Sequence, residues 1–154
     1  MNELQARLQT DLTAAMKARD ELRTAALRMA LAALSTEQTA GKSARELTDD
    51  EVMTVLARES KKRREAAEAF AAAGRAPSAA RERAEEAVLA QYLPAALAEE
   101  ELDRIVAVAV AAAAESGATG PRAMGAVMKA VQPQVKGRAD GSVVASKVRS
   151  ALQP

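Results

Sequence analysis

The chain has no cysteine, no histidine and no tryptophan, and it carries a single phenylalanine, Phe70, and a single tyrosine, Tyr92. The missing cysteine excludes disulfides, a thiolate nucleophile and any cysteine-ligated metal. The missing histidine removes the usual zinc ligand and the side chain most often used to shuttle protons near neutral pH. Cysteine-based glutamine hydrolysis, Ser-His-Asp hydrolysis and histidine-ligated metal hydrolysis are therefore closed to it. So few aromatics leave little means of stacking on nucleic-acid bases, Tyr92 being the only reasonable platform. Long apolar runs are also lacking. The longest, Ile105 to Ala114, is alanine-rich and far short of the roughly 20 residues that span a bilayer. The first residues show no cationic segment followed by an apolar one. These absences predict a soluble, cytoplasmic protein with no membrane association, no metal and no cofactor.

What is present is a 154-residue chain whose apolar content is mostly Ala, Leu and Val. That length forms one ordinary domain or two small helical subdomains with a modest core. Alanine is the best helix former, with Leu and Met close behind, and no alternating strand pattern occurs. The chain reads as all-α, with a four-helix part over residues 1–93 and a three-helix tail over 94–154, divided at Leu93-Pro94.

The spacing Leu4, Leu8, Leu12, Met16 marks a first helix. Asp20 is placed to cap a second, whose buried stripe is Leu27, Ala30, Leu31 and Leu34, followed by a loop from Ser35 to Glu46. Thr48 and Glu51 form a capping box opening a long third helix, with Val52, Val55 and Leu56 inward and Phe70 further along. Gly74 and Pro77 are expected to end it. A fourth helix, from about Ser78 to Gln91, is expected to bury Ala84, Ala87, Val88 and Tyr92. A fifth, Glu99 to Glu115, carries Leu102, Ile105, Val106 and Ala109. Pro121 precedes a sixth with the stripe Met124, Val127, Met128, Val131, which Pro133 should end or kink. Asp140 caps a seventh, with Val144, Val148, Ala151 and Leu152 facing in.

Charge is unevenly distributed. Residues 1–81 carry 14 basic and 12 acidic side chains, residues 82–121 carry 2 and 8, and residues 122–154 carry 6 and 1. A basic module thus follows an acidic one, although the net charge is only +1. Within the basic module lies Val135-Lys136-Gly137-Arg138-Ala139-Asp140-Gly141, two glycines and two cations between two helices. Glycine there permits left-handed turns or close approach by another molecule, and Lys and Arg suit a phosphate or carboxylate.

That run, preceded by Met124-Gly125-Ala126-Val127-Met128, resembles the tail of the GatB/YqeY family. The family comprises stand-alone YqeY proteins of bacteria and the matching C-terminal domain of the tRNA-dependent amidotransferase B subunit. Arg23-Thr24-Ala25-Ala26-Leu27-Arg28-Met29, the segment Glu46 to Val52, and Tyr92-Leu93-Pro94 with Leu97 and Glu99 to Leu102 extend the likeness over essentially the whole chain. One departure is Ala98, where the family often has Ser, so the N-cap of the fifth helix is missing. The resemblance implies a two-part helical module. In the amidotransferase the related domain helps to hold tRNA, and similar domains are appended to some glutaminyl-tRNA synthetases. Catalysis in those assemblies lies in other subunits or domains. Stand-alone members are often labelled carbon–nitrogen ligases with glutamine as amido-N-donor.

The candidate nucleic-acid-binding set is Arg122, Lys129, Lys136, Gly137, Arg138, Lys147 and Arg149. Arg122 and Lys129 are seven apart, hence nearly eclipsed on a helix and opposite the Met124/Val131 stripe. Such a face would contact phosphates rather than read bases; the alternative is a solvated surface docked on the acidic 82–121 segment. Lys61-Lys62-Arg63-Arg64 covers about 300° of a helix and cannot form one patch, and Lys61–Glu65 and Arg64–Glu68 are spaced to neutralise one another. Ordinary helix surface is the expected role there. Tyr92 is expected to pack. Glu99, Glu100, Glu101 and Asp103 suit the first turns of a helix more than catalysis, and Gly41-Lys42-Ser43 lacks the upstream glycine of a P-loop. Three functions follow in order of preference. The first is a non-catalytic tRNA-binding or amidotransferase-associated module, the second an adaptor for an amidotransferase or tRNA synthetase, and the third a glutamine-dependent carbon–nitrogen ligase.

Overall fold

The computed structural model describes residues 2–153, and among these the chain is all-α, as its composition predicts. The elements are α1 (Glu3–Lys17), α2 (Glu21–Gln38), α3 (Asp49–Ala72), α4 (Ala76–Ala90), α5 (Glu99–Glu115), a 3-10 turn (Gly120–Ala123), α6 (Met124–Val135) and α7 (Gly141–Leu152). They divide into two compact units, Met1–Pro94 and Ala95–Pro154.

Helix starts follow the capping residues. The Asp20 carboxylate accepts from the Arg23 amide at 3.1 Å, and the Asp140 carboxylate from the Ser142 amide at 2.9 Å. Thr48 and Glu51 cap each other reciprocally. Arg45 also holds Glu51 at 2.8 Å, and its hydrogen bond is the main cause that pulls the Glu51 carboxyl down to about 2. At Ala98 no side chain caps α5. Replacing Ala98 with Ser should supply the missing acceptor and stabilise the second unit by about 1 kcal/mol, read as a raised urea midpoint at unchanged slope.

In the first unit α3 packs most extensively on α4, α1 on α2, and α2 on α4. Their core is built on Leu8, Leu27, Leu34, Val52, Val55, Leu56 and Leu89, all 2% exposed or less. Each such side chain contributes about 1.5–3 kcal/mol by leaving water. In the second unit α5, α6 and α7 pack on one another. Here the core is thinner and mostly valine: Val106, Val127, Val131, Val135, Val144 and Val148, with Leu102 and Leu152.

Several expectations need correction. Met16 is 49% exposed while Ala15 is buried. A four-residue repeat advances about 40° per step on a helix, so the stripe starting at Leu4 has rotated off the core by Met16, whereas Ala15 lies seven residues beyond Leu8. Helix α2 continues to Gln38, shortening the expected loop. Pro77 falls in the first turn of α4, where its missing N–H costs nothing; Gly74 alone closes α3. On α4, Ala87 is exposed and Ala84 half-buried, and Glu85 and Leu89 are the buried positions with Val88. Phe70 is only half-buried, and Ala151 is exposed. Pro133 does not end α6, which runs on to Val135.

Candidate nucleic-acid interface

The run from Lys136 to Gly141 is a built turn between α6 and α7. Gly137 has φ +73°, a left-handed angle that glycine adopts without strain, and this explains its presence. Past it, the Arg138 and Ala139 amides donate back to the Val135 carbonyl at 2.8 and 3.1 Å. Arg138 also secures the segment ahead of α5: its Nε donates to the Ala95 carbonyl at 3.0 Å, and its own carbonyl accepts from the Leu97 amide at 2.9 Å. Arg138 is half-buried and works as a structural clasp of the second unit. Lys136, the C-cap of α6, is exposed.

Lys147 also has internal partners. Its Nζ donates to Asp103 at 2.7 Å and to Glu99 at 3.3 Å, so α7 is tied to the acidic start of α5. The hydrogen bond to Asp103 is the chief cause that raises the Lys147 ammonium above its ordinary range. Asp140 is therefore not the only counter-charge the basic tail meets. The pair closes one end of a shallow groove between α5 and α7 lined by Val106, Ala107, Ser146, Ser150 and Ala151.

Arg122, Lys129 and Arg149 are exposed and have no ion-pair partner among the described residues. Arg122 sits on the 3-10 turn rather than on α6, so it and Lys129 do not share one straight helix as their spacing suggested. Lys129 belongs to the exposed face of α6 and Arg149 to the last turn of α7. The candidate set thus splits: three cations are uncommitted, while Arg138 and Lys147 hold the unit together.

The other candidates resolve into structure within the first unit. Lys61 and Glu65 approach to 4.0 Å as expected. Arg64 instead reaches across to Glu86 on α4 at 3.0 Å, not to Glu68. Arg63 is not surface: it is buried between α3 and α4 with Glu59 at 3.8 Å, Glu85 at 3.5 Å and Glu82 at 3.9 Å. Lys62 and Arg81 complete the charge balance, on Glu59 at 2.9 Å and Glu85 at 3.1 Å. In the sequence the only trace of this network is Glu85 within the spacing 85, 88, 89, 92, a glutamate on a buried stripe.

Tyr92 packs, as its position before Leu93-Pro94 suggested. Its hydroxyl donates to the Asp11 carboxylate and accepts from Arg23 Nη2 at 3.3 Å. Arg7 covers the ring at 4.9 Å, leaving no face for a base. Burial first, then the Asp11 hydrogen bond, push the phenol up to about 12. Glu99, Glu100 and Glu101 occupy the first turn of α5, where the helix dipole favours them. Among the described residues no group of three or more acidic side chains is arranged to hold a metal ion, and no helix is long and apolar enough to cross a membrane.

The family model described as Yqey-like protein matches residues 5–152. No curated protein matches the chain.

Proposed function

The chain belongs to the YqeY-like family, and on that premise we propose that it is a non-catalytic helical module that binds tRNA in the cytoplasm, through phosphates and not through bases. The observation that carries this reading is the set of three exposed cations without ion-pair partners, Arg122, Lys129 and Arg149, on a segment with six basic residues and one acidic. An exposed cation without a local partner keeps its full attraction for a phosphate. Lys136 adds charge at the neighbouring helix end, and Arg138 and Lys147 hold the turn and the α5–α7 packing that carry the other four. The burial of Tyr92 supports a backbone-only mode, since its ring is not open to stack on bases.

The test is a titration with bulk tRNA at about 50 and 200 mM salt, the range over which phosphate contacts are most clearly read. Three contacts correspond to a salt slope of about 2–3, or roughly a 40-fold loss of affinity across that range. The Arg122→Glu/Lys129→Glu/Arg149→Glu variant should bind at least tenfold more weakly at the lower salt, with a slope reduced by about 2–3. Equal binding by both proteins at both salts overturns the proposal. A protein partner retained from nuclease-treated lysate, together with that equality, would favour the adaptor reading with an amidotransferase or synthetase.

A further inference from the structure

The chain has six methionines and no cysteine, so thioethers are the only sulfur that a two-electron oxidant meets in it. Met16 and Met29 are the open ones, 49% and 45% exposed, while Met53, Met124 and Met128 are more covered. What the two open sulfurs touch differs. Met16 Sδ lies 3.9 Å from Nη2 of Arg28, an exposed side chain. Met29 Sδ, on α2, lies 3.3 Å from Nη2 of the buried Arg63.

Arg63 is short of acceptors. Its guanidinium carries a fork of N–H donors, yet among the described residues the one hydrogen bond it donates goes to the Met29 thioether, a weak acceptor. Glu85, Glu59 and Glu82 stand 3.5, 3.8 and 3.9 Å away, attracting it as ion pairs without hydrogen-bond geometry. Arg63 Nε and Glu82 Oε2 are both buried with no hydrogen-bond partner.

We propose that Met29 is a modification site: a hydroperoxide converts its thioether to the sulfoxide, whose oxygen takes over the hydrogen bond from Arg63 and fastens α2 more firmly to α3. The sulfur attacks one peroxide oxygen, forming the S–O bond as the O–O bond breaks. Sulfur is oxidised by two electrons and the peroxide is reduced. The leaving oxygen takes the proton of the transferred one and departs as water or an alcohol. Met29 is unbranched and flexible and partly outside, so it can retreat until oxygen and Nη2 lie about 2.9 Å apart.

Methionine oxidation ordinarily disrupts, because it places a polar oxygen among apolar groups. The sign reverses here, because the sulfur already faces a donor that lacks a strong acceptor. Around it Arg63, Lys62 and Arg81 balance Glu59, Glu82 and Glu85, while Arg64 is taken by Glu86. A neutral sulfoxide leaves that balance intact. None of these residues belongs to the basic tail, so the inference stands apart from RNA binding.

The test is urea unfolding of the full chain before and after hydrogen peroxide, with conversion at Met29 verified by peptide mass spectrometry. Emission of Tyr92, the only tyrosine, reports the first unit alone. In a Met16→Leu/Met53→Leu background, oxidation should raise the folding constant of this unit about tenfold. Adding Met29→Leu should abolish the gain, and so should adding Arg63→Ala. Unchanged or lower stability on oxidation of Met29 overturns the proposal, whether or not the Arg63→Ala variant folds. A gain that survives either added substitution overturns it as well. So does a Met29 that stays a thioether in the wild type while Met16 is converted.

Discussion

Replacing Arg63 with alanine should destabilise the first unit by about 3 kcal/mol, a drop of roughly 12–24 °C in its midpoint for a unit of this size. Arg63 is nearly enclosed between α3 and α4, and the side chains of Glu59 and Glu85 beside it are 9% and 7% exposed. Removing the guanidinium leaves these carboxylates with only Lys62 and Arg81 as hydrogen-bonded partners, reaching in from the rim. Coulomb attraction to such exposed cations is weakened by water, so the cost is close to that of breaking a buried ion pair from one side. Some of the loss is packing of the Arg63 stem and of its contact with Met29, whose Sδ lies 3.3 Å from Nη2. Combining Arg63→Ala with Glu59→Gln and Glu85→Gln separates the two contributions, because the stem stays absent while the carboxylates are neutralised. If stranded charge dominates, the triple variant should recover most of the loss in urea unfolding. If it is no more stable than Arg63→Ala, packing is the larger part. A change below about 0.5 kcal/mol in Arg63→Ala, the range of ordinary surface substitutions, would contradict the buried network itself.

The second large effect is an acidity. Tyr92 is the only tyrosine, and the chain has no tryptophan, so tyrosinate absorbance reports this one phenol. In the native chain its midpoint should lie near 12, and in urea near 10, a hundredfold difference in acidity. The sign for stability follows directly. Below pH about 10 both folded and unfolded chains keep the proton and the stabilisation is complete. Above it the unfolded chain ionises first, so stability falls as the pH rises toward 12, where the native phenol also ionises. Tyr92→Phe should remove this component of the alkaline loss and cost about 1 kcal/mol at neutral pH through the missing hydrogen bond to Asp11. Arg7 and Arg23 stay near Asp11 at 3.9 and 3.8 Å, which keeps that cost modest. Helicity followed in parallel distinguishes titration from unfolding. A native midpoint near 10 would mean that the phenol is solvated and the Asp11–Arg23–Tyr92 cluster does not form.

Helix identity was legible because local chemistry decides it. Asp20, Thr48 with Glu51, and Asp140 each begin a helix through a bond made within three residues, and α5 begins and ends where its spacing predicts. Which side of a helix is buried was less legible, because alanine occupies every face of an alanine-rich helix and leaves the pattern underdetermined. The spacing therefore points to Ala87 where Leu89 is buried, to an exposed Ala151, and to Met16 where Ala15 faces in. The candidate site was legible as composition but not as geometry. Net charge identifies a basic tail, yet only folding shows that Lys147 is held by Asp103 and Glu99, and that Arg138 clasps Ala95 and Leu97. The Arg63 network was hidden for the same reason. Its partners Glu82 and Glu85 lie on another helix, while sequence spacing reports only pairs three or four residues apart.

The claim that the basic tail meets RNA backbone is tested most directly by mapping photo-crosslinks between bulk tRNA and the purified chain. The expected result is crosslinked peptides from residues 122–149, including the flanks of Arg122, Lys129 and Arg149, that disappear at high salt. Crosslinks confined to α1–α4, for example around Lys61 to Arg64, or none at any salt, would contradict it.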